Sequence, residues 1–307
     1  VLSVLPFSVY RNTQKICLWY NSEIVFQSGS HAFGMLLYPE FVKLPTILFV
    51  CTNGAGMGHL SRCLSYARQL QGQVEIMFFS LASAIEIIEE MGFPADYFVS
   101  PNWSRTSSAD WNRELCFRLG LILEHVRPSV IVFDGTWPYQ GFINACREYG
   151  KAKIVWSHRG LHQADKAKSF PHQKNMFSLI IKPGEAGDES GWEESDFDCP
   201  QVRVPPVCLL REEELLDRVQ ARRAMGLSEN GRYALFSLGA GNINDVENIG
   251  EGLIQQLQQA GFEVVWANNP ISIKDVVLPE GVQPVSVYPL VRYFRAFDVF
   301  VGASGYM

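Results

Sequence analysis

The chain has 307 residues, of which 47% are hydrophobic and 19% charged. That composition can bury a sizeable core, and the length suggests two domains or one large one. A formal net charge of −6 and a pI of about 5.6 argue against a non-specific nucleic-acid binder, so no nucleic-acid partner is expected.

The first 44 residues are hard to place. Lys15 to Phe26 alternates like one or two strands, and Ser28-Gly29-Ser30 reads as a turn. The segment reads as an N-terminal extension of unknown role. The apolar start, Val1 to Tyr10, lacks the basic region and small-residue cleavage site of a signal peptide. From Phe33 to Thr52 the chain is apolar but broken by Pro39, Glu40, Lys43 and Pro45, short of the ~18 residues a membrane helix needs.

A strand–helix alternation begins at Thr46. Thr46 to Cys51 reads as a buried strand, and Leu60, Cys63, Leu64, Ala67 and Leu70 recur at helical spacing. Val74 to Phe79 is a strand and Ala82 to Met91 a helix stopped by Gly92 and Pro94. Tyr97 to Val99 is a short strand, Ser108 to Val126 a long helix, Val130 to Phe133 a strand, and Gln140 to Tyr149 a helix closed by Gly150. Ile154 to Trp156 and Leu179 to Ile181 are strands. Gly184 to Pro200 is acidic and reads as a solvated loop. Pro205-Pro206 leads into a charged helical stretch, Glu212 to Met225. The domain boundary is placed here, with one domain over 45–205 and a second over 206–307.

The second alternation runs through strands Tyr233 to Leu238, Phe262 to Trp266, Val285 to Val287 and Asp298 to Val301. Between them lie a helix marked by Val246, Ile249, Leu253, Ile254 and Leu257, and a short helix from Arg292 to Phe297. Alternating β and α elements imply an α/β fold with parallel sheets covered on both faces. Four strands are fewer than the roughly five or six of such a domain, so the second domain is expected to be incomplete.

The seven cysteines, Cys17, Cys51, Cys63, Cys116, Cys146, Cys199 and Cys208, contain no C-x-x-C pair. They read as reduced thiols of a cytosolic protein. A cytoplasmic location follows, with peripheral contact at the inner face of a membrane left open. No metal site and no cofactor are expected.

Two glycine turns follow strands: Gly54, Gly56 and Gly58 in Asn53-Gly54-Ala55-Gly56-Met57-Gly58-His59, and Gly239 and Gly241 in Gly239-Ala240-Gly241-Asn242. Glycine lets backbone N–H groups close on an anion, and a helix start adds partial positive charge, so a phosphate suits both. The alternative is that the glycines only make tight turns. A dinucleotide fingerprint needs G-x-G-x-x-G and an acid about 20 residues on. Here the spacing is G-x-G-x-G, and Phe78-Phe79-Ser80 carries no acid. A Walker loop needs Gly-Lys, and Gly58 is followed by His59. Gly302-Ala303-Ser304-Gly305 lacks the spacing of a nucleophile elbow.

His59 at the mouth of a helix is a candidate general base, because a helix start disfavours a cation and suits a neutral imidazole; the alternative is a residue that merely caps the turn. Asp134 ends an apolar strand on the same edge and can orient His59 or accept from a substrate hydroxyl; the alternative is a turn or N-cap aspartate. His158 ends the next strand and, with Arg159, faces a phosphate or an acceptor, or is only a polar strand end.

Asn53 to Leu64 resembles the N-terminal motif of GT-B glycosyltransferases, in particular the group that contains the lipid-linked N-acetylglucosaminyltransferase of peptidoglycan synthesis. Ser237-Leu238-Gly239-Ala240-Gly241-Asn242 resembles the turn that opens that group's nucleotide-sugar domain. Tyr288-Pro289-Leu290, followed by Ala296 to Gly305, resembles its donor-site strand and loop. The three motifs stand in order and cover Thr46 to the C-terminus; residues 1–44 match nothing in the family. The resemblance implies two Rossmann-like domains facing a cleft. A UDP-sugar, carrying N-acetylglucosamine or another hexose, would be the donor, and the acceptor would be lipid-linked or a polysaccharide of the cell envelope. Asn53, Gly54, Gly56, Gly58 and His158 would approach acceptor or phosphate, with His59 and Asp134 catalytic. Gly239, Gly241, Asn242, Tyr288, Gly302, Ser304 and Gly305 would line the donor site. In the family the last glycine leads into a helix whose glutamate holds the donor ribose; this sequence stops at Met307, so a C-terminally truncated relative is expected and its activity is in doubt. Gly56 to Leu64 also resembles the nucleotide-sugar hydrolases of nonulosonic acid synthesis, so a hydrolase, or an inactive relative, is the alternative.

Overall fold

The computed structural model describes residues 44–52, 57–158, 174–184, 198–237, 247–272 and 277–302. The strands expected within Lys15 to Phe26 and most of the acidic loop lie outside the described residues.

The first sheet is built from β1 (Thr46–Cys51), β2 (Glu75–Ser80), β3 (Ala95–Tyr97), β4 (Val130–Asp134), β5 (Lys153–Ser157), β6 (Leu179–Pro183) and β7 (Gln201–Val204). Its order is β3-β2-β1-β4-β5-β6-β7, and all six pairings are parallel. Four helices cover it: α1 (Gly58–Leu70), α2 (Ile85–Glu90), α3 (Ser108–Val126) and α4 (Gln140–Tyr149).

Strand alternation sorts the core into two layers. Phe49, Cys51, Phe78 and Val132 pack with Leu60, Cys63, Leu64 and Ala67 of α1 and with Ile87 and Ile88 of α2. Leu48, Val50, Phe79, Ile131, Phe133, Trp156 and Ile180 point the other way, against Trp111, Leu115 and Leu119 of α3 and Phe142 and Ile143 of α4. A sheet buried on both faces reads as continuous apolar runs, and β1 and β4 do. The α3–α4 contact is close at Gly141, where a Cβ would stand 2.2 Å from the backbone oxygen of Asn112.

The second sheet contains β8 (Tyr233–Ser237), β9 (Glu263–Ala267), β10 (Val282–Val285) and β11 (Val299–Gly302), in the order β10-β9-β8-β11 and again parallel. It is accompanied by α5 (Arg218–Ala224) and α6 (Glu247–Gln259). Arg222 of α5 is buried and donates from Nε to the Ala296 carbonyl at 2.9 Å. It also reaches Asp298, whose carboxylate accepts from the Tyr233 backbone N–H.

Several boundaries depart from the sequence reading. The expected helix from Glu212 to Met225 divides into a single 3-10 turn, Glu212–Glu214, and α5. The break falls at Asp217, whose extended backbone and side-chain bond to the Gln220 N–H, 2.8 Å, start a new helix. The stretch expected as a short helix, Arg292 to Phe297, is a 3-10 helix over Leu290–Ala296. The strand expected at Val285 to Val287 lies earlier, at β10, and the short strand at Tyr97 to Val99 is β3. The strand β7 has no counterpart in the sequence reading, which leaves Gln201 to Val204 unassigned; it is only four residues long, with Val202 and Arg203 exposed.

Candidate functional site

In an open parallel sheet, the strand order reverses at one point, and a crevice opens there at the carboxyl ends of the strands. In the first sheet that point lies between β1 and β4, where Cys51 pairs with Asp134. In the second it lies between β8 and β11, where Ser237 pairs with Gly302.

Asp134 is the last residue of β4 and is wholly buried. It faces the α1 side of the sheet, like Val132 two residues before it. Its carboxylate meets two side chains of α1. His59 Nδ1 lies 2.7 Å from Oδ1, and Arg62 forks onto both oxygens, Nε to Oδ2 at 2.7 Å and a terminal nitrogen to Oδ1 at 2.6 Å. His59 and Arg62 are three apart on α1 and so share a helix face. Both are buried, Arg62 with 2% of its surface exposed.

The chemistry follows from donor and acceptor rules. A carboxylate only accepts, so His59 Nδ1 carries a hydrogen, and in the neutral ring Nε2 keeps its lone pair. Burial alone would push the Asp134 carboxyl up. The Arg62 charge, then the His59 and Arg62 hydrogen bonds, outweigh that and hold it below the usual carboxylate range. Burial likewise works against the Arg62 charge, but Asp134 more than compensates and raises it. The carboxylate therefore stays ionised and orients an imidazole able to take a proton.

His59 is not the cap of α1. Met57 holds that position and gives no side-chain bond, and the first turn has no acid. Asp134 is not the cap of α4 either, since Tyr139 stands there. Gly58 is the first residue of α1. His158 follows β5; its N–H donates to the Ile181 carbonyl at 2.8 Å, and its ring stands edge-on to Trp156 at 4.3 Å. Tyr288, expected to line a donor site, has its hydroxyl 2.9 Å from Ser61 Oγ on α1. Burial pushes the Tyr288 phenol up to about 12, with the Ser61 bond opposing. Gly302 ends β11 at the second switch point. Asn53, Gly54, Gly56, Gly239, Gly241, Asn242, Ser304 and Gly305 lie outside the described residues.

Arg62 was missed as a site residue in the sequence, although its i+3 spacing from His59 was a readable sign. Ser61–Tyr288 and Tyr66–Ser157, whose hydroxyls lie 3.2 Å apart, join segments distant in sequence and left no local sign. No group of three or more potential metal ligands occurs among the described residues. No helix among them is long and apolar enough to cross a membrane.

No protein-family model matches the sequence, and no curated protein matches it. Solved structures do match the fold. A structure of MnaA from S. aureus with UDP superposes with a TM-score of 0.55 at 11% identity, over 85% of this chain and 74% of that one. The glycotransferase of kitacinnamycin superposes with a TM-score of 0.54 at 16% identity, over 85% and 76%. In both sheets of this chain the first four strands are ordered 3-2-1-4. The fold is GT-B. A UDP-N-acetylglucosamine 2-epimerase from Rickettsia bellii gives a TM-score of 0.53 at 13% identity, over 85% and 74%. The GT-B neighbours thus include glycosyltransferases and UDP-N-acetylglucosamine 2-epimerases, and the fold expected from the three sequence motifs is the fold found.

Proposed function

We propose that this GT-B chain is a UDP-sugar-dependent glycosyltransferase that moves N-acetylglucosamine or another hexose to an acceptor. The observation that carries the reading is the buried Arg62–Asp134–His59 constellation at the switch point of the first sheet. His59 Nε2 takes the proton of the acceptor hydroxyl as that oxygen attacks the sugar's anomeric carbon. Asp134 fixes the imidazole and steadies the imidazolium that forms, and Arg62 fixes Asp134. UDP leaves as a dianionic or trianionic group that needs donors. In this reading the second unit, 206–307, supplies them from the region of Gly239, Gly241, Asn242, Gly302, Ser304 and Gly305. The first unit, 45–205, receives the acceptor, whose lipid-linked or polysaccharide nature would put the protein at a cytoplasmic membrane face.

The test is turnover of UDP-N-acetylglucosamine and UDP-glucose with and without a panel of lipid-linked and saccharide acceptors, with UDP and free sugar measured together. UDP release that requires an acceptor supports transfer. Free sugar and UDP released at the same rate in water alone would replace the reading with hydrolysis. An undetectable calorimetric signal with UDP would remove nucleotide sugars altogether.

A further inference from the structure

The α3/α4 side of the same carboxyl edge carries a second group of side chains that the proposed chemistry does not use. Trp156 and Ile180 pair across β5 and β6 and belong to the α3/α4 core layer. Two residues further along each strand direction, on the same face, come His158 and Lys182. The ladder runs through to them, since Ser157 pairs with Ile181 and the His158 N–H donates to the Ile181 carbonyl. Adjacent strands are about 4.8 Å apart, so His158 and Lys182 stand side by side.

Trp137, between β4 and α4, closes the group. Its ring lies 5.6 Å from Trp156 and 6.1 Å from His158. Trp156 is itself fully buried, stacked on Phe177 at 5.1 Å and anchored by its indole N–H to the Gly135 carbonyl at 3.0 Å. Trp137 and His158 are only half-buried. An ordered aromatic stack therefore ends in two partly open rings, and the neighbouring strand places Lys182, a residue 7% exposed, next to His158.

We infer that Trp137, His158 and Lys182 form an acceptor subsite for a saccharide that bears a carboxylate or phosphate. The apolar C–H face of a pyranose packs on an indole, and the anionic substituent reaches the Lys182 ammonium and the His158 ring. A wall of aromatic surface with a few placed polar groups, at the carboxyl edge of a parallel sheet, is a usual make-up of a small-molecule site. Burial lowers the Lys182 ammonium from its ordinary value, and an anionic substituent beside it would favour the charged form again. The subsite lies one and two strands from β4, whose Asp134 faces the opposite side. An acceptor bound there would cross the sheet edge to present its hydroxyl to His59. This assignment rests on the transferase reading.

The test uses the full chain and direct binding, so that it does not depend on turnover. Glucuronate and glucose 6-phosphate are titrated by tryptophan fluorescence, with glucose and inorganic phosphate as the neutral and ring-less controls. Either anionic sugar is expected to bind at least tenfold tighter than both controls. Affinity should fall at least tenfold in Trp137→Ala, read by calorimetry because that variant lacks the indole that would report binding. Lys182→Gln should remove the preference for the anionic sugar, and Lys182→Arg should keep it. Should Lys182→Gln fail to fold, the half-buried Trp137→Ala decides alone. Anionic sugars that bind no tighter than glucose or phosphate, or a Trp137→Ala variant with unchanged affinity, would overturn the subsite. A parallel UDP titration separates the two ideas: loss of UDP binding by the parent chain sinks the transferase reading, whereas loss of sugar discrimination with UDP binding intact sinks only the subsite.

Discussion

Asp134→Asn changes one atom and tests the whole constellation. The carboxylate accepts three bonds of 2.6–2.7 Å, two from Arg62 and one from His59, in a place with no solvent exposure. Asparagine offers one acceptor oxygen and turns an N–H₂ toward a donor. It leaves the Arg62 guanidinium buried without its counter-charge. Breaking one side of a buried pair in this way costs about 3–5 kcal/mol. Urea unfolding at pH 7 should show that loss as a lower midpoint with an unchanged slope. The double variant Arg62→Met/Asp134→Asn removes the stranded charge, so it should be more stable than Asp134→Asn alone. The pH dependence has a defined sign. A carboxyl held below its unfolded value of about 3.9 contributes fully above that pH and loses its contribution as pH falls through the folded value. The gap between parent and Asp134→Asn should therefore be constant at neutral pH and close below about pH 4. A loss under ~1 kcal/mol, or a double variant as unstable as the sum of the singles, would refute the picture of a buried, coupled ion group.

The remaining expectations are simpler. His59→Ala should lower acceptor-dependent UDP release by roughly 10²–10⁴ while leaving UDP affinity within about twofold, as expected of a general base; unchanged turnover removes His59 from the mechanism. Tyr288→Phe and Ser61→Ala each break the same hydroxyl pair, and each should cost about 1–2 kcal/mol. Their double variant should lose less than the sum, which chemical unfolding of all three would check. Gly141→Ala should destabilise by about 1–3 kcal/mol or more, because its methyl meets the Asn112 carbonyl; a thermal melt within a degree of the parent would show that α3 and α4 can part without strain.

What could be read from the sequence follows from how local the signals are. β1, β4, α3 and α4 announce themselves by apolar runs, by helical spacing and by Gly150 after α4, in the left-handed conformation. Asp134 and His59 were recognisable because each ends or begins an element on a ligand-facing edge. Their 2.7 Å bond spans 75 residues and has no local trace. Arg62 hid in plain view, since an arginine on a helix usually faces water and only the β1–β4 pairing reveals what lies opposite. The strand β7 escaped because its alternation, Gln-Val-Arg-Val, is only four residues long and lies at the sheet edge, where little of it is buried. The broken helix before α5 was misread because charge patterning says little about where a capping aspartate interrupts a turn.

Helix α1 has consequences for how the chain can be divided. It is buried continuously from His59 to Ser65. The layer that encloses it contains not only first-sheet residues but also Leu209, Ile271 and Tyr288, and Arg68 reaches the Leu209 carbonyl and Glu214. A fragment ending at Val204 would keep every strand of the first sheet and still lose part of the wall around this helix. Such a fragment would carry a freshly bared apolar strip beside its proposed base and would tend to associate. Isolating the acceptor-side half for ligand screening therefore calls for the segment through Tyr288, or for polar replacements on the uncovered face of α1.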